Sequence, residues 1–452
     1  MQKKRIIGII VICITAFINN GIKAQQKQQL PATHEFSVQQ CLDYAHKNNI
    51  KVKNALLDYQ IQQQTNRNIT SQALPQVTGA AGLTDYIDIP TTLLPGIFLN
   101  PPQPGTYFPV QFGTKYNANG SVTLQQTLFD GQVFVGLKAR KTSLDYAMKG
   151  VEVTEQAIKI NIYKIYYQLA ASKIQMNIID ANITKAGQLV HDTKIMHDNG
   201  FAEQIDVDKS NVQLANLQTE KLKTQSAIDN GYLGLKYLLG MPVNDELVLT
   251  DSVNEDQVKQ DIIDTGYQYT DRKDYQLLQE TKKLGEFNIK RYQLSYLPVL
   301  SLTGVYSKLA QRTQFDVFGG GAWYTTSYIG VNISIPIFDG FAKASNISKA
   351  RLQLMQTENM IEDTKLAIDT AVAASKRNFT TAILTLDNQK KNMALAEQVY
   401  EQTRKKYGAG VGSTTDINNA EADLKTAQSN YISAMYDAII AKIDYNNAIG
   451  KL

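Results

Sequence analysis

Residues 328–349 read YIGVNISIPIFDGFAKASNISK, and two structural periods meet within them. Ile329, Val331, Ile333, Ile335 and Ile337 alternate with Gly330, Asn332, Ser334 and Pro336, which predicts a strand with one apolar and one polar face. Pro336 removes a ladder donor near the strand end, and Asp339 and Gly340 supply turn chemistry. No proline follows as far as Leu452, so a helix of roughly 65 residues can run on from the turn. At about 1.5 Å per residue it would extend about 100 Å, too long for a compact domain and suited to a rod or a coiled tube.

The rest of the 452-residue chain is consistent with a large folded protein, at 43% hydrophobic and 19% charged residues. Residues 1–24 have the form of a signal peptide: Lys3, Lys4 and Arg5, an apolar run over 6–18, then Ala24 before polar Gln25. That run is too short to cross a bilayer as a helix, and no later segment is long and apolar enough. Without Lys3, Lys4, Arg5 and Lys23 the basic and acidic residues balance, so nucleic acid is not an expected partner. Cys13 leaves with the signal and Cys41 then has no cysteine to pair with. His34, His46, His191 and His197 are scattered, which argues for no metal. No nucleotide-binding or nucleophile motif occurs, so neither a cofactor nor an enzymatic activity is expected.

Taken in order, 25–36 is an N-terminal linker and 37–73 a helix that Leu74-Pro75 stops. Strands are predicted at 77–89 and 116–129, joined by an exposed loop over 90–110 that holds six of the eleven prolines. Phe129-Asp130-Gly131 leads into a helix over about 133–197, and a turn over 198–201 into another over about 203–239. An acidic, irregular linker spans 243–270 with room for short helices. The plan then starts again: a helix over 271–295, Leu297-Pro298, a strand over 299–309, a Gly- and aromatic-rich loop over 311–326, and the opening stretch. Leu74 matches Leu297 at an offset of 223, Asp130-Gly131 matches Asp339-Gly340 at 209, and Gly200, Asp206 and Gly240 match Gly410, Asp416 and Gly450 at 210. A near-constant offset across the long helices marks a duplication, with repeats over 37–242 and 271–452.

This ordered, duplicated set of a Leu-Pro strand entry, a Phe-Asp-Gly strand exit and a Gly-containing turn between paired long helices resembles the TolC family of outer-membrane efflux proteins. The resemblance covers about 36–452. It implies an α+β membrane protein: a homotrimer whose protomers each give four strands to one 12-stranded β-barrel in the outer membrane, continued by a long α-helical tunnel through the periplasm. It also implies a passive exit duct for tripartite efflux, with outer-membrane lipid around it and a periplasmic adaptor protein and an inner-membrane pump as partners. A type I protein secretion duct is the alternative, and a surface receptor or adhesin displaying 90–110 is the rival from another class.

Four strands cannot close a barrel alone, and an open edge is not tolerated in hydrocarbon, so the strands require other protomers. Tyr86, Tyr116, Tyr306, Trp323, Tyr324 and Tyr328 cluster toward the loop ends, and Phe129 and Phe338 toward the helix ends, as two aromatic girdles would. Apolar stripes such as Ile158, Ile162, Ile165, Leu169 and Ile347, Leu354, Ile361, Ile368 predict helix packing. By the same resemblance the two helix–helix turns close the periplasmic entrance, which makes Asp206, Tyr407, Asp416 and Asn419 the candidate gate. Asp416 matches the first of the family's two constriction acids, Asn419 stands at the second, and Gly412 stands where the family carries Arg. Tyr407 and Asp206 match a closing pair. Ser413 and Asp416 also fit a helix capping box.

Overall fold

The structure, a computed structural model, describes residues 32–251, 266–316 and 319–452. The signal segment and most of the two linkers lie outside these residues. The first repeat comprises α1 (Val38–Asn48), α2 (Ile50–Ser71), β2 (Gln76–Asp85), β3 (Thr91–Pro95), β4 (Tyr107–Gln111), β5 (Tyr116–Phe129), α3 (Gly131–Asp198) and α4 (Gln204–Leu239). The second comprises α5 (Lys273–Leu294), β7 (Val299–Arg312), β8 (Tyr324–Ser334), α6 (Ala342–Gly408) and α7 (Thr414–Ala448). Two short strands, β1 (Thr33–Phe36) and β6 (Glu246–Leu249), pair in parallel beside the helices.

Three expectations are corrected. The helix predicted over 37–73 breaks at Asn49, whose φ of −60° and ψ of 129° leave the helical region. Its side-chain oxygen accepts from the Lys51 and Val52 amides, and its Nδ2 donates to the Leu238 carbonyl at 2.6 Å. A short amide that supplies its own cap thus competes with the ladder and turns α2 away from α1. The proline-rich loop over 90–110 contains an antiparallel hairpin, β3 against β4, in which Pro95 opposes Tyr107 and Pro109 opposes Leu93. Two-stranded ladders have outward positions that need no N–H, so proline is admissible there. The linkers also contribute structure, because the apolar run Leu247-Val248-Leu249 finds β1 as a partner.

β2, β5, β7 and β8 form one antiparallel sheet in that order, so its edges are β2 and β8. Residues opposite one another share a face. Val77, Leu124, Leu302, Ile329, Val331 and Ile333 fall on one face by this register, and Thr78, Ser121, Thr123, Thr303, Ser307 and Asn332 on the other. Ile329, Val331 and Ile333 are 81%, 61% and 59% exposed, so the protomer leaves this apolar face uncovered. The ladder ends at Ser334, short of the sequence alternation, because Pro336 cannot donate.

Below the sheet, α6 runs for 67 residues, about 100 Å at the usual rise. Ile361, Ile368, Val372, Phe379 and Leu386 repeat at spacings of seven and four, and they pack on Ile432, Met435, Ile439 and Ile443 of α7. That period belongs to a left-handed coil. Ile158, Ile162, Tyr166 and Leu169 of α3 form a second core with Ile228, Leu235 and Leu239 of α4, closed by Cys41, Val52 and Leu249. Burial pushes the Cys41 thiol up to about 12, so it behaves as a small apolar side chain. Tyr267 and Tyr269 both donate to Asp369, at 2.7 and 3.1 Å, and so tie the chain ahead of α5 to the middle of α6.

At the junction of sheet and helices the two Asp-Gly pairs serve differently. Asp130 accepts from the Gln132 amide, and a Cβ on Gly131 would stand 2.7 Å from the Leu294 Cβ, so only glycine lets α3 start against α5. Gly340 instead takes φ 62°, as does Phe341 at 68°, while Asp339 accepts from the Lys343 amide at 2.9 Å.

The register generates a paired test. Ile329→Lys places a cation on the apolar face at the middle of β8 and is expected to cost roughly 2–4 kcal/mol near a bilayer midplane. Asn332→Lys points to the other face and is expected to leave assembly intact, both read as the yield of detergent-resistant oligomer on semi-native gels.

Candidate functional site

The helix tips farthest from the sheet repeat one backbone design. Gly200 at φ 78° and Gly410 at φ 74° follow α3 and α6, the Phe201 amide donates to the Met196 carbonyl at 2.8 Å, and the Val411 amide to the Lys406 carbonyl at 3.0 Å. These six-to-one bonds close each helix, and the glycine supplies the left-handed residue they require. Both apices then carry an apolar side chain to solvent, Phe201 at 82% and Val411 at 81% exposure. Sequence reasoning missed these two residues, although their matched places after the turn glycines are visible in the chain.

The next helices start with matched capping boxes. Glu203 and Asp206 cap α4, with the Glu203 amide donating to Asp206 Oδ2 at 3.3 Å. Ser413 and Asp416 cap α7, with Ser413 Oγ donating to Asp416 Oδ2 at 2.7 Å and the Asp416 amide donating to Ser413 Oγ. The Ser413 hydroxyl, then its backbone amide, holds the Asp416 carboxyl below the ordinary range. Asp416 and Asn419 are exposed and Asp206 is half-buried.

Tyr407 lies apart from these carboxylates. It is buried, and its hydroxyl stands 3.0 Å from Thr193 Oγ1 of α3 and accepts from Thr414 Oγ1 of α7 at 3.3 Å. No hydrogen bond joins Tyr407 to Asp206 among the described residues: Thr193 and Thr414 hold the phenol, and the Glu203 amide donates to Asp206. Tyr407 therefore links three helices at their tips. It packs with Leu189, Tyr400, Ile417, Ala420 and Leu424 in a small core of its own. Gly412 closes this turn: a Cβ there would approach the Tyr407 amide nitrogen at 3.1 Å, so a larger residue requires the backbone to give.

One buried acid was not anticipated. Glu421 is 5% exposed, and neither carboxylate oxygen has a hydrogen-bond partner among the described residues. Burial raises its pKa, against the opposing charges of Lys185 and Lys425. Lys425 itself is drawn to Glu220 of α4. The signal was present as Ile417, Ala420, Glu421 and Leu424, an acid inside an apolar stripe at helical spacing. Beside this core a groove of about 410 Å³ separates α3 from α6, with Lys185, Asp192, Arg404 and Tyr407 among its walls.

A protomer of this shape, with matched capped tips on four long helices below an open four-stranded sheet, has counterparts among known proteins. The family model described as outer membrane efflux protein matches residues 287–451. Outer membrane protein TolC of Vibrio cholerae is 20% identical over 341 residues, covering 74% of this chain and 77% of that one. This chain is similar to the TolC family of outer-membrane efflux proteins. Outer membrane protein TolC of Escherichia coli, another relative, is 20% identical over 354 residues, covering 75% of this chain and 71% of its own. Among solved structures, CusC superimposes with a TM-score of 0.76 at 15% identity, covering 94% of this chain and 95% of its own. The CmeC channel of Campylobacter jejuni does so at 0.73 and 18% identity, over 92% of this chain and 85% of its own. The fold of these channels is thus shared over nearly the whole chain.

Glu421 generates a pH prediction. Its folded-state pKa is raised, so the proton it carries favours the folded state; that contribution is fully present below the unfolded value and is lost as pH rises through the folded value. Glu421→Gln is therefore expected to raise the melting temperature at pH 7.5 and to leave it unchanged at pH 4, followed by the helical circular dichroism signal.

Proposed function

We propose that this protein is the outer-membrane exit duct of a tripartite efflux or export system, a passive channel of a non-enzymatic family. The observation that carries the reading is the four-stranded sheet, open at β2 and β8, apolar on one face and lined with Ser, Thr and Asn on the other. An edge strand exposes unpaired amides and carbonyls that hydrocarbon does not tolerate. Edge-to-edge pairing of three copies closes twelve strands, with the apolar face outward and the polar face around a water-filled lumen. The helices support the same homotrimer, because Leu352, Leu366, Leu384 and Leu395 of α6 are each 60% or more exposed in the lone protomer. Neighbouring α-helical pairs would cover them.

The tips form the periplasmic entrance in this reading. Asp206, Asp416 and Asn419 stand near the narrow end, where they present polar groups to the lumen or to a neighbouring protomer, and Tyr407 fastens the α6–α7 turn to α3. Phe201 and Val411 offer a ring of apolar apices suited to a periplasmic adaptor protein, through which an inner-membrane pump drives transport. Relatives include one named probable efflux pump outer membrane protein TtgC, 19% identical over 309 residues. Its name supports efflux as the process.

Two measurements test the proposal. Mass determination in detergent is expected to give three chains per particle, and the purified protein is expected to conduct ions across planar bilayers; a monomer, or a silent trimer, overturns it. Tyr407→Phe removes hydrogen bonds to Thr193 and Thr414 worth about 0.5–1.5 kcal/mol each in net terms, so open probability is expected to rise by about tenfold. Adding Asp206→Ala is expected to raise it further, with trimer yield unchanged.

A further inference from the structure

On the apolar face of the sheet, β7 changes character toward the hairpin end. Leu300 and Leu302 give way to Tyr306, then Lys308, then Arg312, all on one face by register. Lys308 sits between Gly120 of β5 and Thr325 of β8, with Ala81 of β2 next across. These neighbours all come from one protomer, so the surroundings of Lys308 do not depend on other copies. Lys308 is exposed and has no hydrogen bond or ion pair among the described residues. Arg312 is instead folded into the loop, its Nη1 donating to the carbonyls of Ala322 at 2.9 Å and Gln311 at 3.0 Å while its Nε and Nη2 are buried without a partner among the described residues.

Beside Lys308 lies a trough of about 650 Å³, floored by Gly79, Ala81 and Gly120 and walled by Tyr306 and Trp323. A Cβ placed on Gly120 meets nothing within 4 Å, so the space above the floor is open. Tyr and Trp mark the level at which hydrocarbon gives way to headgroups. A lysine just beyond that level extends its ammonium toward the headgroups, where an uncompensated cation calls for an anion.

We propose that this trough binds the phosphate of a glycolipid in the outer leaflet, with the phosphate on the Lys308 ammonium and the sugar lying over Gly79, Ala81 and Gly120. The inference rests on the reading of the sheet as part of a membrane barrel. A lysine with three unengaged donors suits a phosphate oxygen. A phosphate alone fills little of the trough, whereas a phosphorylated disaccharide matches its size. The position of the trough at the end remote from the long helices places it in the leaflet facing outward.

Native mass spectrometry of the full assembly in detergent tests this, with bisphosphorylated lipid A, the same lipid dephosphorylated, and phosphatidylglycerol as probes. Bisphosphorylated lipid A is expected to be retained, and its retention to fall about tenfold on loss of the phosphate or in Lys308→Gln, the loss of one charged hydrogen-bond set. Lys308→Arg should keep it, Gly120→Leu should lose it by filling the trough, and Lys223→Gln on the exposed side of α4 should not affect it. Equal retention by wild type and both Lys308→Gln and Gly120→Leu, or equal binding of the dephosphorylated lipid, overturns the site. Equal binding of phosphatidylglycerol overturns the assignment to a glycolipid. Wild-type protein that inserts and conducts yet shows no such differences refutes this inference alone, whereas protein that does not insert refutes the channel reading beneath it.

Discussion

Backbone hydrogen bonding at the two sheet edges is the constraint on which the rest of the architecture turns. β2 and β8 each have one row of amides and carbonyls with no partner among the described residues. Water can satisfy them in an isolated protomer, but a bilayer cannot. The fold is therefore incomplete as a monomer, and the same incompleteness recurs below, where α6 leaves large leucines uncovered. Barrel closure and helix packing demand the same neighbours, so one symmetric association meets both.

Between barrel and tips the chain manages its length by local devices. Asp130 and Asp339 start the helices, left-handed glycines end them, and carboxylate capping boxes start the next pair. None of these contributes much alone, since a cap is worth about 1 kcal/mol. Their role is to fix where a very long helix begins and ends, which sets the level of every residue along the tube. At mid-height, Tyr166 accepts from the Asp251 amide and donates to the Phe36 carbonyl, and Tyr267 and Tyr269 grip Asp369. Three tyrosines thus tie the two linkers to the helices.

The sequence made the architecture legible wherever the signal was local. Pro75 and Pro298, the alternation after Tyr328, the turn glycines and the 210-residue offset gave the order of strands and helices. Features that depend on distant partners were not readable. Asn49 resembles any helical asparagine until Leu238 is placed beside it, and β1 pairs with a strand more than 200 residues away. Proline content disguised the β3–β4 ladder, because its pairing uses the proline-tolerant side of an edge. At the candidate entrance, Tyr407 was identifiable as a residue of interest, but its partners were not, since Thr193 lies on another helix. Glu421 was hidden in an apolar stripe, where a hydrophobic residue was the natural expectation.

The duplication has a further consequence at the tips. Tyr407 corresponds to His197 in the first repeat, yet Tyr407 is buried and bound to two threonines, whereas His197 is half-buried with its ring nitrogen toward Asp198 in its own turn. The bond from Tyr407 to Thr193 therefore runs between the two hairpins of one protomer and couples them, while His197 adds no second tie. In the trimer proposed above, each protomer's pair of tips would then swing as one arm, and the aperture would open as three blades rather than six.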